Sequence, residues 1–172
     1  MDAKGMERAL NRMAHQILER NRGVEGLVMV GIRARGDYLA RRLAAILDKL
    51  EGAPENQKLP IGALDITMYR DDIELVRPEV RTSDIPGGTI ANKNLILVDD
   101  VLFTGRTVRA ALDALMGYGR PKSIQLAVLV DRGHRELPIC ADYAALKVET
   151  RRDQEVIVNL AEDGKDDSVL IK

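Results

Sequence analysis

The sequence predicts an α/β fold, a mainly parallel sheet flanked by helices, and two observations predict it. Leu27 to Val30 and Leu95 to Val98 are short, wholly apolar runs, the pattern of strands buried on both faces. Each runs into a polar loop and then into a helical pattern, and strands alternating with helices pack as a sheet covered on both sides.

The elements follow in order. From Met6 to Leu18, the residues Met6, Leu10, Met13, Ala14, Ile17 and Leu18 form the buried stripe of an amphipathic helix. Arg8, Arg12, His15 and Glu19 lie opposite, and Gly23 and Gly26 bracket the exit. The strand Leu27 to Val30 ends at Gly31. The loop Arg33-Ala34-Arg35-Gly36 leads to a helix that starts near Asp37, its predicted N-cap, and runs to about Leu50. After the polar connection Gly52 to Pro60, Leu64 to Tyr69 alternates as a strand. Residues 70–88 are charged, carry Pro78 and Pro86 and close on Gly87-Gly88; a loop this long in a compact domain predicts a lid or flap, with room for a hairpin. Leu95 to Val98 is the next strand, Asp99 to Gly105 a turn, and Thr107 to Met116 a helix closed by Gly117, Gly119 and Pro121. Ser123 to Val130 reads as a strand and Asp131 to Pro138 as a charged loop. Later strands are expected around Tyr143, over Val156 to Leu160 and, after an Asp163-Gly164 turn, over Val169 to Ile171. No repeat, low-complexity tract or linker interrupts residues 1–172, which read as one domain.

Composition narrows the function. With 45% hydrophobic and 31% charged residues the chain is an ordinary globular protein, and with 3% aromatics its core must be aliphatic. So few aromatics argue against a stacking platform for nucleic acid, and a net charge of −1 confines any nucleic-acid site to a local basic face. The single cysteine, Cys140, precludes an intramolecular disulfide, fits a reducing cytoplasm and reads as a small apolar residue. No apolar run reaches membrane-spanning length, and Met1 to Arg22 is too charged for a secretory signal.

Three polar loops leave strand ends: Ile32 to Gly36, Asp99 to Thr107, and Asp131 to Pro138. In parallel sheets ligands bind beyond those ends, so the loops are expected to converge on one site. The middle one carries the strongest chemistry. Asp99 and Asp100 stand side by side after a buried strand, an arrangement opposed by repulsion and desolvation unless a ligand or metal uses it. Thr104-Gly105-Arg106-Thr107 then opens a helix, whose free N–H groups and positive dipole end make an anion site. One loop thus offers acceptors for hydroxyls at one end and donors for a phosphate at the other, the polarity of a ribose 5-phosphate. A solvated acidic turn before a capped helix accounts for an acidic pair and a Thr-Gly alone; the full spacing is more specific.

That spacing, Leu95-Ile96-Leu97-Val98-Asp99-Asp100-Val101-Leu102-Phe103-Thr104-Gly105-Arg106-Thr107, resembles the 5-phosphoribosyl 1-diphosphate (PRPP) signature of the type I phosphoribosyltransferases. The resemblance implies that family's fold, a parallel sheet with a small hood at about residues 131–172. It implies that these thirteen residues bind PRPP, with Asp99 and Asp100 on the ribose 2′ and 3′ hydroxyls and Thr104 to Thr107 on the 5′-phosphate. Arg33 and Arg35 match the family's diphosphate loop and would neutralise the leaving diphosphate. Arg70 would join them as a catalytic or diphosphate-binding residue, and with the flap after it becomes a lid that excludes water. Val130, Asp131, Arg132 and Gly133 fall where the base hood lies, and His134 reads as a structural or surface histidine.

Further stretches, Tyr69 to Asp72, Val98 to Leu115, Gly119 to Ile139 and Ala141 to Tyr143, resemble the family's pyrimidine operon attenuators. That branch implies a cytoplasmic homodimer or homotetramer making UMP and diphosphate from uracil and PRPP. Mg²⁺ would be carried by PRPP rather than held by a protein metal site. The branch also implies binding of UMP or UTP and of pyrimidine operon leader mRNA. For RNA, Arg8, Arg12 and His15 stack on one helix face, and Arg20, Arg22 and Arg135 extend the patch if the fold brings them near. The chain departs from the attenuators at Cys140 and Leu146, where they tend to carry basic residues. Rival readings are a purine phosphoribosyltransferase, a non-catalytic RNA-binding sensor, and a phosphorylation-driven receiver domain. The mid-chain position of the acid pair, and Arg132 where a receiver needs Lys, count against the last.

Overall fold

The computed structural model describes residues 1–69 and 82–172. Arg70 and most of the expected lid, up to residue 81, lie outside the described residues. Strands β1 (Leu27–Ile32), β2 (Ile61–Leu64), β3 (Asn94–Leu102), β4 (Ser123–Asp131) and β5 (Tyr143–Lys147) form one sheet. Its spatial order is β2-β1-β3-β4-β5 and every pairing in it is parallel. Strands β6 (Val156–Asn159) and β7 (Ser168–Ile171) make a separate antiparallel pair.

The period of two along each strand sorts the core. Leu27, Met29, Ile96, Val98, Ala127 and Leu129 face helices α1 (Ala3–Asn21) and α2 (Arg35–Glu51). Val28, Val30, Leu95, Leu97, Leu126 and Val128 face helix α3 (Arg106–Leu115). Every residue of β1 is buried, as a central strand covered on both faces requires. Each such aliphatic side chain contributes roughly 1.5–3 kcal/mol of burial. The stripe expected on α1 is the buried one: Met6, Ala9, Leu10, Met13, Ala14 and Ile17. Asp2 caps that helix by accepting from Gly5 N–H at 2.8 Å. Among the described residues no helix is long and apolar enough to cross a membrane.

Several boundaries differ from expectation for local reasons. The strand expected over Leu64 to Tyr69 lies over Ile61–Leu64 instead, paired with β1. Asp65 ends it: its carboxylate accepts from Thr67 N–H at 2.7 Å, and Thr67–Tyr69 turns into a 3₁₀ helix. The room for a hairpin within residues 70–88 falls mostly outside the described residues; Asp84 forms an isolated antiparallel bridge with Ala63. Asp37 is not an N-cap. Helix α2 begins at Arg35 with Ala34 in the cap position, and Asp37 lies buried in its first turn, 3.0 Å from Arg41. Strand β3 runs on through Leu102, so Asp99 and Asp100 belong to the strand and not to a turn. Val130 and Asp131 likewise close β4. Cys140 is exposed rather than packed.

Candidate active site

Neighbours diverge at β1, with β2 on one side and β3 on the other, and at that reversal of strand order a crevice opens beyond the carboxyl ends. Two glycines let the backbone close in around it. A Cβ on Gly31 would stand 2.3 Å from Gly36 O and 2.4 Å from Asp37 Cα, and a Cβ on Gly36 would stand 2.4 Å from Val98 O. The N-terminus of α2 therefore rests directly on the ends of β1 and β3, next to Asp99. Its positive end points at the same place as the acids.

The crevice is a cleft of about 650 Å³. It is lined by Ile32 to Arg35 from the first loop, by Asp99, Asp100, Val101 and Thr107 from the second, and by Asp65, Ile66, Thr67, Asp163 and Lys165. The structure thus brings the first two expected loops together. Asp99 is 5% exposed and its carboxylate accepts from Asp100 N–H at 2.9 Å. Asp100 is more open and accepts from Val101 N–H at 2.8 Å. The Arg35 guanidinium lies between two carboxylates, with Nη1 3.4 Å from Asp100 Oδ2 and Nε 3.3 Å from Asp163 Oδ2. Arg33 Nε is buried with no hydrogen-bond partner among the described residues. Among the described residues no group of three or more His, Cys, Asp or Glu is disposed to hold a metal by itself.

The rest of the thirteen-residue stretch divides by role. Leu95, Ile96, Leu97, Val98 and Leu102 are core residues that hold the acids in place and do not line the cleft. Gly105, at φ 94°, sits at the N-cap of α3, and Arg106 N–H donates to Thr104 Oγ1 at 3.4 Å. The Arg106 side chain turns outward to Glu136, 3.0 Å away.

The third loop packs onto the second. Thr104 O accepts from Glu136 N–H and Leu137 N–H at 3.0 and 3.2 Å. Arg132 is buried: its guanidinium lies 4.0 Å from the Phe103 ring centre, Nε donates to Thr150 Oγ1 and Nη2 to Arg151 O. Gly133 is exposed, with its N–H on Asp131 Oδ1 at 3.1 Å. His134 meets the Phe103 ring edge-on, with ring centres 5.9 Å apart. Arg135 donates to Leu102 O, Phe103 O, Gly133 O and Ile139 O and pairs with Asp131. So engaged, Arg135 staples this loop to the end of β3.

On that face Arg8, Arg12, His15 and Arg20 are exposed. Arg12 also donates to Ala145 O of β5 at 2.7 Å, and Arg20 pairs with Asp142 at 2.8 Å and lies over Tyr143. The basic residues therefore run alongside the edge strand β5.

Sequence reasoning missed Asp65, Thr67, Asp163 and Lys165. With the strand placed over Ile61–Leu64, Asp65 becomes another acid at a carboxyl end; that much was in reach. Asp163 enters from a turn 128 residues beyond Arg35, and no local signal marks it. Arg42 of α2 braces that turn, bonding Glu162 at 2.5 and 2.8 Å and Asp167 at 2.6 and 2.9 Å. Those bonds hold both carboxyls below the usual carboxylate range.

Comparison with known proteins agrees with this fold. The phosphoribosyl transferase domain model matches residues 1–163. A bifunctional protein PyrR from Caldicellulosiruptor bescii is 55% identical over 174 residues, covering 100% of this chain and 93% of that protein. Its counterpart from Enterococcus faecalis strain V583 is 51% identical over 172 residues, covering 99% and 94%. Among solved structures, a mutant hypoxanthine phosphoribosyltransferase from Trypanosoma cruzi superposes with a TM-score of 0.70 at 19% identity, over 91% of this chain and 82% of that one. One from Staphylococcus aureus gives 0.65 at 22%, over 90% and 77%. At such identities these structures speak for the fold alone. The chain belongs to the phosphoribosyl transferase domain family and, within it, to the group of relatives called bifunctional protein PyrR.

Proposed function

We propose that this chain is a uracil phosphoribosyltransferase, making UMP and diphosphate from uracil and PRPP, and that it also regulates pyrimidine genes by uridine-nucleotide-dependent binding to leader mRNA. The observation that carries the enzymatic half is the cleft itself. It sets the acceptors Asp99 and Asp100 between two helix N-termini, with Arg33 and Arg35 on one side and Thr107 on the other. In this reading the acids orient the ribose through its 2′ and 3′ hydroxyls. The start of α3, Thr104 to Thr107, holds the 5′-phosphate. Arg33 and Arg35 take up the negative charge that develops on diphosphate as the anomeric bond breaks, while the acids favour the cationic ring. Positioning and electrostatics carry most of the catalysis. Asp99, Asp100 and Asp65 carry hard oxygen donors that would suit Mg²⁺ brought in with PRPP, and the ion would supply further charge neutralisation.

The hood, in this reading, is the loop after β4. Arg132 and Arg135 fix it to Phe103, and the backbone from the end of β4 into it, Val130 to Gly133, reads the pyrimidine edge. Arg70 and the segment to residue 88 act as the lid of one phosphoribosyltransferase domain in a cytoplasmic homodimer or homotetramer. The test is direct: with Mg²⁺, the purified protein is expected to form UMP from uracil and PRPP, and to leave hypoxanthine and guanine unconverted. Folded protein that makes no UMP, or that prefers a purine, would overturn the assignment.

The regulatory half rests on the PyrR relatives and on the exposed row Arg8, Arg12 and His15 beside β5. A local face of this kind reconciles RNA binding with a net charge of −1. Binding of a pyrimidine leader stem-loop is expected to tighten with UMP and to weaken steeply with salt. Arg8→Ala with His15→Ala, which spares the Arg12 contact to β5, is expected to weaken it several-fold, by about one phosphate contact per side chain. A double mutant that binds like the parent removes this helix from the RNA face, and a parent that binds no stem-loop at low salt removes the regulatory role.

A further inference from the structure

We propose that Asp163, on the turn between β6 and β7, is a positioning residue for Arg35, holding its guanidinium off Asp100 so that both stay available to PRPP. The inference rests on the reading of the cleft given above and adds to it a residue from the far end of the chain. Three observations carry it.

The Arg35 guanidinium is shared, not captured. Its separations from Asp100 Oδ2 and Asp163 Oδ2 are 3.4 and 3.3 Å. A committed charge-assisted bond would be nearer 2.7–2.9 Å. A cation drawn equally toward two carboxylates on opposite sides collapses onto neither.

The turn that carries Asp163 is braced. Arg42 grips Glu162 and Asp167 from either side of it, Asp167 also accepts from Ala161 N–H at 2.8 Å, and Gly164 N–H donates to Ala161 O at 2.9 Å. Asp163 is therefore presented from a fixed place.

The brace and its target share one helix face. Arg35 and Arg42 are seven residues apart on α2, two turns of helix, so a single surface both anchors the turn and receives its carboxylate. Without Asp163 the nearest anion for Arg35 is Asp100. A full Arg35–Asp100 pair would occupy an acceptor the ribose needs and a donor the diphosphate needs, and PRPP would have to break it to bind.

The experiment is a double-mutant cycle read by calorimetric titration of PRPP in Mg²⁺, without uracil, so that no turnover enters. Asp163→Asn is expected to weaken PRPP binding roughly 3–10-fold, in the lower part of the range of coupling between interacting side chains. In an Arg35→Ala background, where nothing remains to be positioned, the same substitution is expected to change affinity less than about 2-fold, since the coupling is gone. Asp163→Ala, run in parallel, should behave alike, and both should melt within a few degrees of the parent, as exposed turn substitutions do. An equal penalty in both backgrounds overturns the proposal, because Asp163 would then act on the ligand without Arg35. No penalty in the parent background, while Arg35→Ala alone weakens PRPP, overturns it too. If Arg35→Ala leaves PRPP affinity unchanged, the assignment of Arg35 to the diphosphate fails first and the positioning role falls with it.

Discussion

Replacing both acids, Asp99→Asn with Asp100→Asn, is expected to abolish the use of PRPP while the protein stays folded. The separation of the two effects follows from what each carboxylate does in the strand. Asp99 accepts from Asp100 N–H, and Asp100 from Val101 N–H. An asparagine keeps an oxygen in the same place, so these contacts survive. The lost charges relieve repulsion between neighbours, one of which is buried, and stability is expected to hold or rise. Arg35 keeps Asp163 as a partner. What disappears is charge that favours the cationic ring and strong acceptors for its hydroxyls. Contacts of this kind, each removed singly, lower turnover by on the order of 10²–10³, so kcat/KM for PRPP should fall at least about 10³-fold. Melting curves and initial rates with varied PRPP measure both halves. A variant that turns over PRPP like the parent would remove the acids from the mechanism, and one that unfolds would make them structural.

Much of this was legible in the sequence because the informative stretches are local. The apolar runs of β1 and β3 announce strands buried on both faces, and the Asp-Asp to Thr-Gly-x-Thr spacing carries strand end, turn and helix start within one segment. The errors are also local in origin. From sequence, Asp99 and Asp100 read as the start of a turn, because the apolar run stops at Val98. Pairing of Asp99 with Val128 and of Val101 with Val130 holds them in β3 nevertheless. Tertiary pairing likewise decided for Ile61–Leu64 over an equally plausible alternation at Leu64 to Tyr69.

The rest was not legible because it depends on distant partners. Arg135 looks like any surface arginine until its guanidinium is seen to donate to the carbonyls of Leu102 and Phe103. Asp163 reads as a turn residue, and it is one. Its second role exists only because Arg42 brings the turn to α2. Arg132 is charged and yet buried, which the sequence gives no reason to expect; the Phe103 face and two oxygen acceptors account for it.

Gly31→Ala is expected to have the largest effect of any methyl added to this protein, and Gly36→Ala the next. The added Cβ at position 31 would meet Gly36 O at 2.3 Å, Asp37 Cα at 2.4 Å and Asp37 N at 2.5 Å. All three are backbone atoms of the first turn of α2, so no side chain can rotate away. Relief requires the helix to lift off the end of β1. At position 36 the Cβ would meet Val98 O at 2.4 Å, and relief would push the same turn away from β3. Forced backbone shifts in a packed core cost about 1–3 kcal/mol and sometimes more, and helix displacement places these at the upper end. At roughly 2–4 °C per kcal/mol for a chain of this size, a fall of about 6–12 °C in Tm follows for Gly31→Ala. Gly117→Ala is the control: its Cβ would meet nothing within 4 Å, and its Tm should stay within about 2 °C of the parent, as surface changes of under 0.5 kcal/mol do. The displacement also reaches function. The first turn of α2 carries Arg35 and closes the diphosphate side of the cleft, so whatever Gly31→Ala protein remains folded should bind PRPP more weakly than the parent, measured below its lowered Tm. If Gly31→Ala melts with the parent, or melts early but binds PRPP unchanged, the close seat of α2 on β1 and β3 is not what shapes this site.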